Sequence, residues 1–276
     1  MCGVCGCGNG QDGPRIVSPK EAHEQDHHHH HGHEHHHGHD HHHHGHEHHH
    51  GHDHSHGKSR VVELEQNILQ HNQLLAERNR GYFAAKNMVA LNLVSSPGSG
   101  KTSVLERTLT DLKEEMDCYV IEGDQQTVND ADRIEAVGVP VIQVNTGQGC
   151  HLESDMIQAA LKKLKPRDDS MLFIENVGNL VCPSMFDLGE QARVVIISVT
   201  EGDDKPIKYP DMFHSAQLCL INKVDLLPYV EFNVEKAKDY ARQVNPHLEF
   251  LEISATRGTG MEAWYDWLRQ QQPQND

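Results

Sequence analysis

The sequence predicts an α/β fold: a mostly parallel sheet with helices on both faces, preceded by a Cys/His-rich segment expected to be disordered without metal. Two distributions of residues carry that expectation. From Met88 onward, short Val/Ile/Leu runs alternate with amphipathic stretches, the pattern of strands covered on both faces. The histidines divide the chain as sharply: 22 of the 26 lie between His23 and His56. A stretch without aliphatic periodicity cannot bury enough apolar surface to offset its chain entropy.

In chain order, residues 1–10 form a Cys/Gly motif, 11–22 a polar linker, 23–57 a His/Gly/Asp/Glu tract, and 61–276 one globular domain with a leading helix. The leading helix is read from Val61 to about Arg80, with Val62, Leu64, Ile68, Leu69 and Leu75 on or near one face. Strands are expected at 88–94, 118–124, 139–145, 171–178, 192–199, 216–223 and 248–254. Helices are expected at 101–115, 153–165, 233–244 and 260–270. In such a fold, ligands bind beyond the carboxyl ends of the strands.

Composition excludes several roles. A formal net charge of −17 argues against binding a phosphate backbone. No apolar run reaches the roughly 18–20 residues of a membrane span. The opening Met1-Cys2-Gly3-Val4-Cys5-Gly6-Cys7-Gly8 lacks the charged and apolar regions of a secretory signal. The seven cysteines are an odd number, three of them within the first seven residues. That is metal or redox spacing in a reducing compartment, so a cytoplasmic location is expected.

The first expected strand of the domain runs into Ser95-Ser96-Pro97-Gly98-Ser99-Gly100-Lys101-Thr102-Ser103, followed by a helix. This is a Walker A loop in which Ser95 replaces the first glycine of G-x-x-x-x-G-K-[ST]. Gly98 and Gly100 let backbone amides turn toward phosphates at a helix N-terminus. Lys101 supplies charge to the β- and γ-phosphates, and Thr102 a hydroxyl for Mg²⁺. Asn222-Lys223-Val224-Asp225 closes a later strand and matches the N-K-x-D box. A carboxylate at Asp225 accepts two hydrogen bonds from guanine and is left unpaired by adenine. Ser254-Ala255-Thr256 fits the loop whose backbone N–H reads guanine O6. These motifs together specify GTP/GDP. Asp124 and Glu175 end strands; either holds Mg²⁺ directly or through water, or caps the next helix. The D-x-x-G switch is absent, and Glu175-Asn176-Val177-Gly178 stands in its place. No water-positioning residue can be assigned.

Three features suit Ni²⁺ or Zn²⁺. Cys2, Cys5 and Cys7 can wrap one ion with thiolates, and with an amine support square-planar nickel; a redox pair is the alternative. The histidine tract, including His27, His28, His29, His30, His41, His42, His43 and His44, offers many imidazoles for storage. An expression tag would be shorter, terminal and uniform. Cys150 and His151 follow one strand by a Gly-rich turn, and Cys182 follows another. The three come together if those strands are close, and Cys182 is then continuous with Glu175. Cys118 and Cys219 lie inside strands and read as small buried hydrophobes.

These residues resemble the HypB family of hydrogenase nickel-incorporation GTPases, SIMIBI-type P-loop proteins. The likeness rests on Cys2-x-x-Cys5-Gly6-Cys7, the histidine tract, Glu122-Gly123-Asp124-Gln125-Gln126-Thr127, Gly149-Cys150-His151, Glu175 to Pro183, and Asp203-Asp204-Lys205-Pro206. It implies a GTPase that dimerises with nucleotide, works with a companion nickel-handling maturation protein, and delivers nickel to the hydrogenase large-subunit precursor. It further implies a metal site of Cys150, His151 and Cys182 at the dimer interface, and a Lys205 that reaches nucleotide across it. Two other functions compete: a passive nickel or zinc store, and a urease-accessory nickel GTPase. Intact Lys101, Thr102 and Asp225 count against the first; the three amino-terminal cysteines and Cys150-His151 count against the second.

Overall fold

In the computed structural model, residues 14–19, 21, 55–125 and 129–272 are described, side chains from residue 66 onward in the first helix. Cys2, Cys5, Cys7 and the histidines from His23 to His54 lie outside them, as do Gln126 and Thr127. The elements, in chain order, are β1 (Arg15–Val17), α1 (Ser55–Ala85), β2 (Val89–Ser95), α2 (Lys101–Leu112), β3 (Cys118–Asp124) and α3 (Asn129–Val137). There follow β4 (Val141–Asn145), α4 (Ser154–Leu164), β5 (Met171–Glu175) and β6 (Ala192–Ser198). The chain ends with α5 (Lys205–Lys208), α6 (Pro210–His214), β7 (Leu218–Asn222), α7 (Val234–Val244), β8 (Glu249–Glu252) and α8 (Met261–Gln271). Short 3₁₀ turns cover Cys182–Met185 and Val224–Tyr229.

One sheet runs β1-β4-β3-β5-β2-β6-β7-β8. Every pairing is parallel except β1 on β4, which adds an antiparallel edge strand where a polar linker was expected. Strand alternation sends Val89, Leu91 and Leu93 to one face, against α2, α3 and α8. Ala90 faces the other way, toward Phe83 of α1 and Ile157, Ala160 and Leu161 of α4. Farther along that second face, Val195 and Ile197 pack with Met212, Phe213 and Ala241. The order β3-β5-β2 puts β2 at the centre, so the loop after it opens mid-sheet.

Helix α1 differs from its expected reading in length and face. It starts at Ser55 and ends at Ala85, and its core side carries Asn72, Ala76, Asn79 and Phe83. Ile68 and Leu69 are exposed instead. The reason is hydrogen bonding. Asn79 Nδ2 donates to the carbonyls of Ser154 and Leu188, at 2.9 and 3.1 Å. Asn72 Nδ2 donates to the Asp187 carbonyl at 2.7 Å, and its Oδ1 accepts from Ser154 N at 2.9 Å. The loop at Gly189 presses against this face. Gly189 has φ +86°, and a Cβ there would lie 2.6 Å from the Ala76 carbonyl.

Candidate functional site: a P-loop cleft beside a thiolate–imidazole cluster

β2 ends at Ser95, and the chain turns through Gly98 (φ +77°) and Gly100 (φ +91°) into α2. Ser95 remains a buried strand residue with no positive φ, so the loop does not need glycine there. Gly100 is required twice over: its φ is left-handed, and a Cβ would meet Asn222 Nδ2 at 2.6 Å. The loop borders a cleft of about 550 Å³, within the range of ligand pockets. Residues 95–103, Glu122, Asp124, Asp130, Arg133, Val177, Gly178 and Lys223 line it.

The Asn222–Asp225 box and the Ser254–Thr256 loop are assembled around the same loop. Asn222 Nδ2 donates to the Ser99 carbonyl at 3.0 Å, and Asn222 Oδ1 accepts from Ala255 N at 3.3 Å. One side chain therefore ties the P-loop to the Ser254–Thr256 loop. Lys223 (φ +62°) sends Nζ to the Gly98 carbonyl at 2.7 Å. Ser254 Oγ donates to Asp225 Oδ1 at 2.6 Å, fixing the carboxylate's orientation.

At the phosphate end, Glu175 is fully buried. Its Oε1 lies 2.7 Å from Lys101 Nζ and accepts from Thr102 Oγ1 at 2.6 Å. Its Oε2 is buried without a hydrogen-bond partner among the described residues. A hydroxyl and a carboxylate in contact, one carboxylate oxygen still unused, fit an oxygen-ligated Mg²⁺ held directly or through water. Asp124 lies on the same cleft wall. Glu122, quoted in a motif but given no role there, also lines the cleft. Burial, and next the Glu175 carboxylate, hold the Glu122 carboxyl well above the usual range, with Lys101 opposing them.

Cys150, His151 and Cys182 do come together. Their ligand atoms all lie within 4.8 Å of one another. The two Sγ atoms are 2.7 Å apart, and Cys150 Sγ is 3.7 Å from His151 Nδ1. β3 separates β4 from β5, so the loops meet by reaching past its end; the strands are not adjacent. Cys182 is buried, 3% exposed, and Cys150 is half-buried. The His151 ring stacks on Phe186 at 4.0 Å, and its Nε2 lies 3.3 Å from Glu153 Oε1. Two thiols and an oriented imidazole are a soft, three-ligand set with room for a further donor. Cys118 and Cys219 are buried in strands, as expected. Burial, and next the charge of Asp117, push the Cys118 thiol up to about 12, and burial raises that of Cys219 further.

The segment from Glu175 to Cys182, expected to run between the two sites, is held by side-chain bonds of Asn176. Asn176 Oδ1 accepts from Leu152 N at 3.2 Å, next to His151, and from Val177 N at 3.0 Å. Its backbone N donates to the Leu93 carbonyl at 3.0 Å. Gly178 then passes the P-loop so closely that a Cβ would lie 3.3 Å from Pro97 Cα. Thr146 N donates to the Asp124 carbonyl at 2.9 Å, a second link from the metal loop to the cleft. Lys205 sits outside the cleft lining, 3.4 Å from Glu201, whose other oxygen accepts no bond among the described residues. Glu201 in turn accepts from Ser96 Oγ at 2.6 Å.

Parallel topology, the phosphate loop and the N-K-x-D box set against it define a P-loop nucleotide-binding protein, with a cysteine–histidine cluster joined to its nucleotide cleft. Residues 89–252 match the model of the CobW/HypB/UreG nucleotide-binding domain. The hydrogenase maturation factor HypB of Escherichia coli K12 is 60% identical over 212 residues, covering 77% of this chain and 73% of its own. That of Azotobacter vinelandii is 55% identical over 214 residues, covering 78% and 71%. The crystal structure of HypB from Archaeoglobus fulgidus superposes with a TM-score of 0.68 at 42% identity, covering 73% of this chain and 98% of that one. HypB from Helicobacter pylori in complex with nickel gives 0.67 at 38%, covering 74% and 99%. The chain belongs to the HypB family of hydrogenase maturation factors. Among the described residues, no helix is long and apolar enough to cross a membrane.

Proposed function

We propose that this protein is a cytoplasmic GTPase that stores nickel and delivers it, under nucleotide control, to the large-subunit precursor of a [NiFe]-hydrogenase. The carrying observation is the segment from Glu175 to Cys182, which touches Lys101 and Thr102 at one end and supplies a cluster thiol at the other. Asp225, oriented by Ser254, reads guanine, and Asn222 sets the P-loop against the base-reading loop. When nucleotide enters, Lys101 leaves Glu175 for the phosphates, and Thr102 and Glu175 hold Mg²⁺. Magnesium supplies the positive charge that offsets phosphate charge during transfer. A γ-phosphate fixes the Val177–Gly178 turn beside Pro97, and that turn sets where Cys182 points. Nickel bound by Cys150, His151 and Cys182 is the cargo; Zn²⁺ suits the same donors. Cys2, Cys5, Cys7 and the histidine tract collect and store the metal. Triphosphate favours a homodimer in which Lys205 reaches the partner's nucleotide and the cluster gains its remaining ligands. A companion nickel-handling maturation protein hands metal on. Relatives from two Helicobacter species, 39% and 38% identical, are named hydrogenase/urease maturation factors, so a urease acceptor is the second reading.

The test is calorimetry and phosphate release with GTP and ATP. GTP is expected to bind at least about a hundredfold tighter, as buried hydrogen-bond readers discriminate. Lys101→Ala should abolish turnover. Equal affinity for the two nucleotides overturns the reading.

A further inference from the structure

Glu122 lies near the carboxyl end of β3, in register with Glu175 on β5 and Gln143 on β4. Registered neighbours on parallel strands put their side chains on the same face, with strands about 4.8 Å apart. Glu122 is 2% exposed, and Leu152 packs against the adjacent Gly123, where an added Cβ would meet it at 2.7 Å. The carboxyl nevertheless forms part of the cleft wall, together with the P-loop and Asp124. Its Oε2 is buried with no hydrogen-bond partner among the described residues. An acid of that burial costs stability unless something answers its charge or its lone pairs. A leucine or valine would fill a strand interior without that cost. The charged groups around it are Glu175, Lys101, Asp124 and Asp130. Lys101, its nearby cation, is already held by Glu175 at 2.7 Å and is required by the phosphates when nucleotide binds.

We propose that Glu122 is a positioning residue for the divalent cation that accompanies the nucleotide. Resting on the GTPase reading above, it places a carboxyl behind Glu175, where it accepts a hydrogen bond from a water of that cation and, with the cation's charge beside it, takes the ionised form that adds one negative charge to the site. Glu175 contacts Thr102 and carries the inner interaction; Glu122 orients the hydration shell from one strand further out. Magnesium keeps several waters when it binds proteins, so an outer carboxylate has ligands to hold. The role follows from the row Glu175–Glu122 across the sheet, and it assigns a purpose to a buried acid that neither base recognition nor the cysteine–histidine cluster uses.

The experiment uses the full chain, stripped of transition metals, and a fluorescent N-methylanthraniloyl derivative of GTPγS. Affinity is measured in EDTA and across a magnesium titration for wild type, Glu122→Gln and Glu122→Asp. Glutamine keeps the size and one hydrogen-bonding oxygen, removes the charge and exchanges the other oxygen for an NH₂ donor. The expected result is unchanged affinity in EDTA with a magnesium midpoint raised about tenfold in Glu122→Gln, the order expected from losing one charge near a divalent ion. Glu122→Asp is expected to fall between that variant and wild type. A Glu122→Gln titration that overlays wild type overturns the proposal, because the carboxyl is then a neutral packing group. An equal loss with and without magnesium also overturns it, because the role is then structural. If Glu122→Gln fails to fold, Glu122→Asp decides the question: a magnesium midpoint raised with intact EDTA affinity supports the proposal, and any other pattern overturns it. A wild type that binds the analogue neither way overturns the GTPase reading itself.

Discussion

Asp225 is half-buried and has one oxygen taken by the Ser254 hydroxyl, so the carboxylate enters the base site already oriented. Replacing it with asparagine exchanges two acceptors for one acceptor and one donor group. Asp225→Asn is expected to weaken GTP at least about tenfold, or 1.4 kcal/mol, and to raise affinity for xanthosine triphosphate. Competition calorimetry with both nucleotides checks this; unchanged selectivity would remove Asp225 from base recognition. Thiol reactivity gives a second expectation at this scale. Cys118, raised to about 12, and the fully buried Cys219 stay protonated at any working pH, so they resist alkylation in the folded protein. Cys150, half-buried, should be the first of the domain's cysteines to be labelled by iodoacetamide at pH 8, and nickel should protect it. Peptide mapping by mass spectrometry reads both results. The residues of local motifs were legible in the sequence because a phosphate loop or a base-reading box is fixed by contiguous spacing. Asn176 and Glu122 stood within motifs that carry the resemblance, but their contacts were not legible, because these come from strand register and loop crossings. Arg133, 3.2 Å from Ser103 Oγ on the cleft wall, belongs to a helix the apolar pattern did not mark.

At the scale of elements, α1 is held by amide side chains where a hydrophobic stripe was expected. Asn79 is 1% exposed and satisfies two carbonyls, one just after His151 in the chain and one just after Cys182. Asn79→Ala leaves both carbonyls without that donor, and a loss of about 1–3 kcal/mol is expected. Urea unfolding of the metal-free protein measures it, and a change below about 0.5 kcal/mol, the size of an ordinary surface substitution, would contradict the clamp. The strands were legible because parallel, doubly covered strands read as continuous Val/Ile/Leu runs. Their apparent ends overran, since loop residues such as Asn176 to Gly178 are held by side-chain bonds invisible in hydropathy. β1 escaped notice for a different reason. Three residues, Arg15–Val17, carry too short a pattern to distinguish an edge strand from a linker.

Across the whole molecule, the proposed function assigns storage and hydrolysis to separate stretches of chain. The solved HypB chain of Archaeoglobus fulgidus is matched over 98% of its length by 73% of this one. Deleting residues 23–57 is expected to remove most bound nickel, since 22 of 26 histidines go with it, and to leave the rate of GTP hydrolysis within about twofold. Equilibrium dialysis and phosphate release measure the two quantities. A collapse in turnover would mean that the tract supports the catalytic cleft.

Coupling between the cleft and the cysteine–histidine cluster is the central claim, and linkage makes it measurable from either side. The direct measurement is a nickel titration of a variant lacking residues 1–57, so that tail ligands cannot mask the cluster. It is run with GDP and with a non-hydrolysable GTP analogue while light scattering follows mass. The expected result is a nickel affinity that differs about 5–150-fold between the two nucleotides, a coupling of about 1–3 kcal/mol, with the larger mass in the triphosphate state. Equal affinity and equal mass in both states would contradict nucleotide control of the metal.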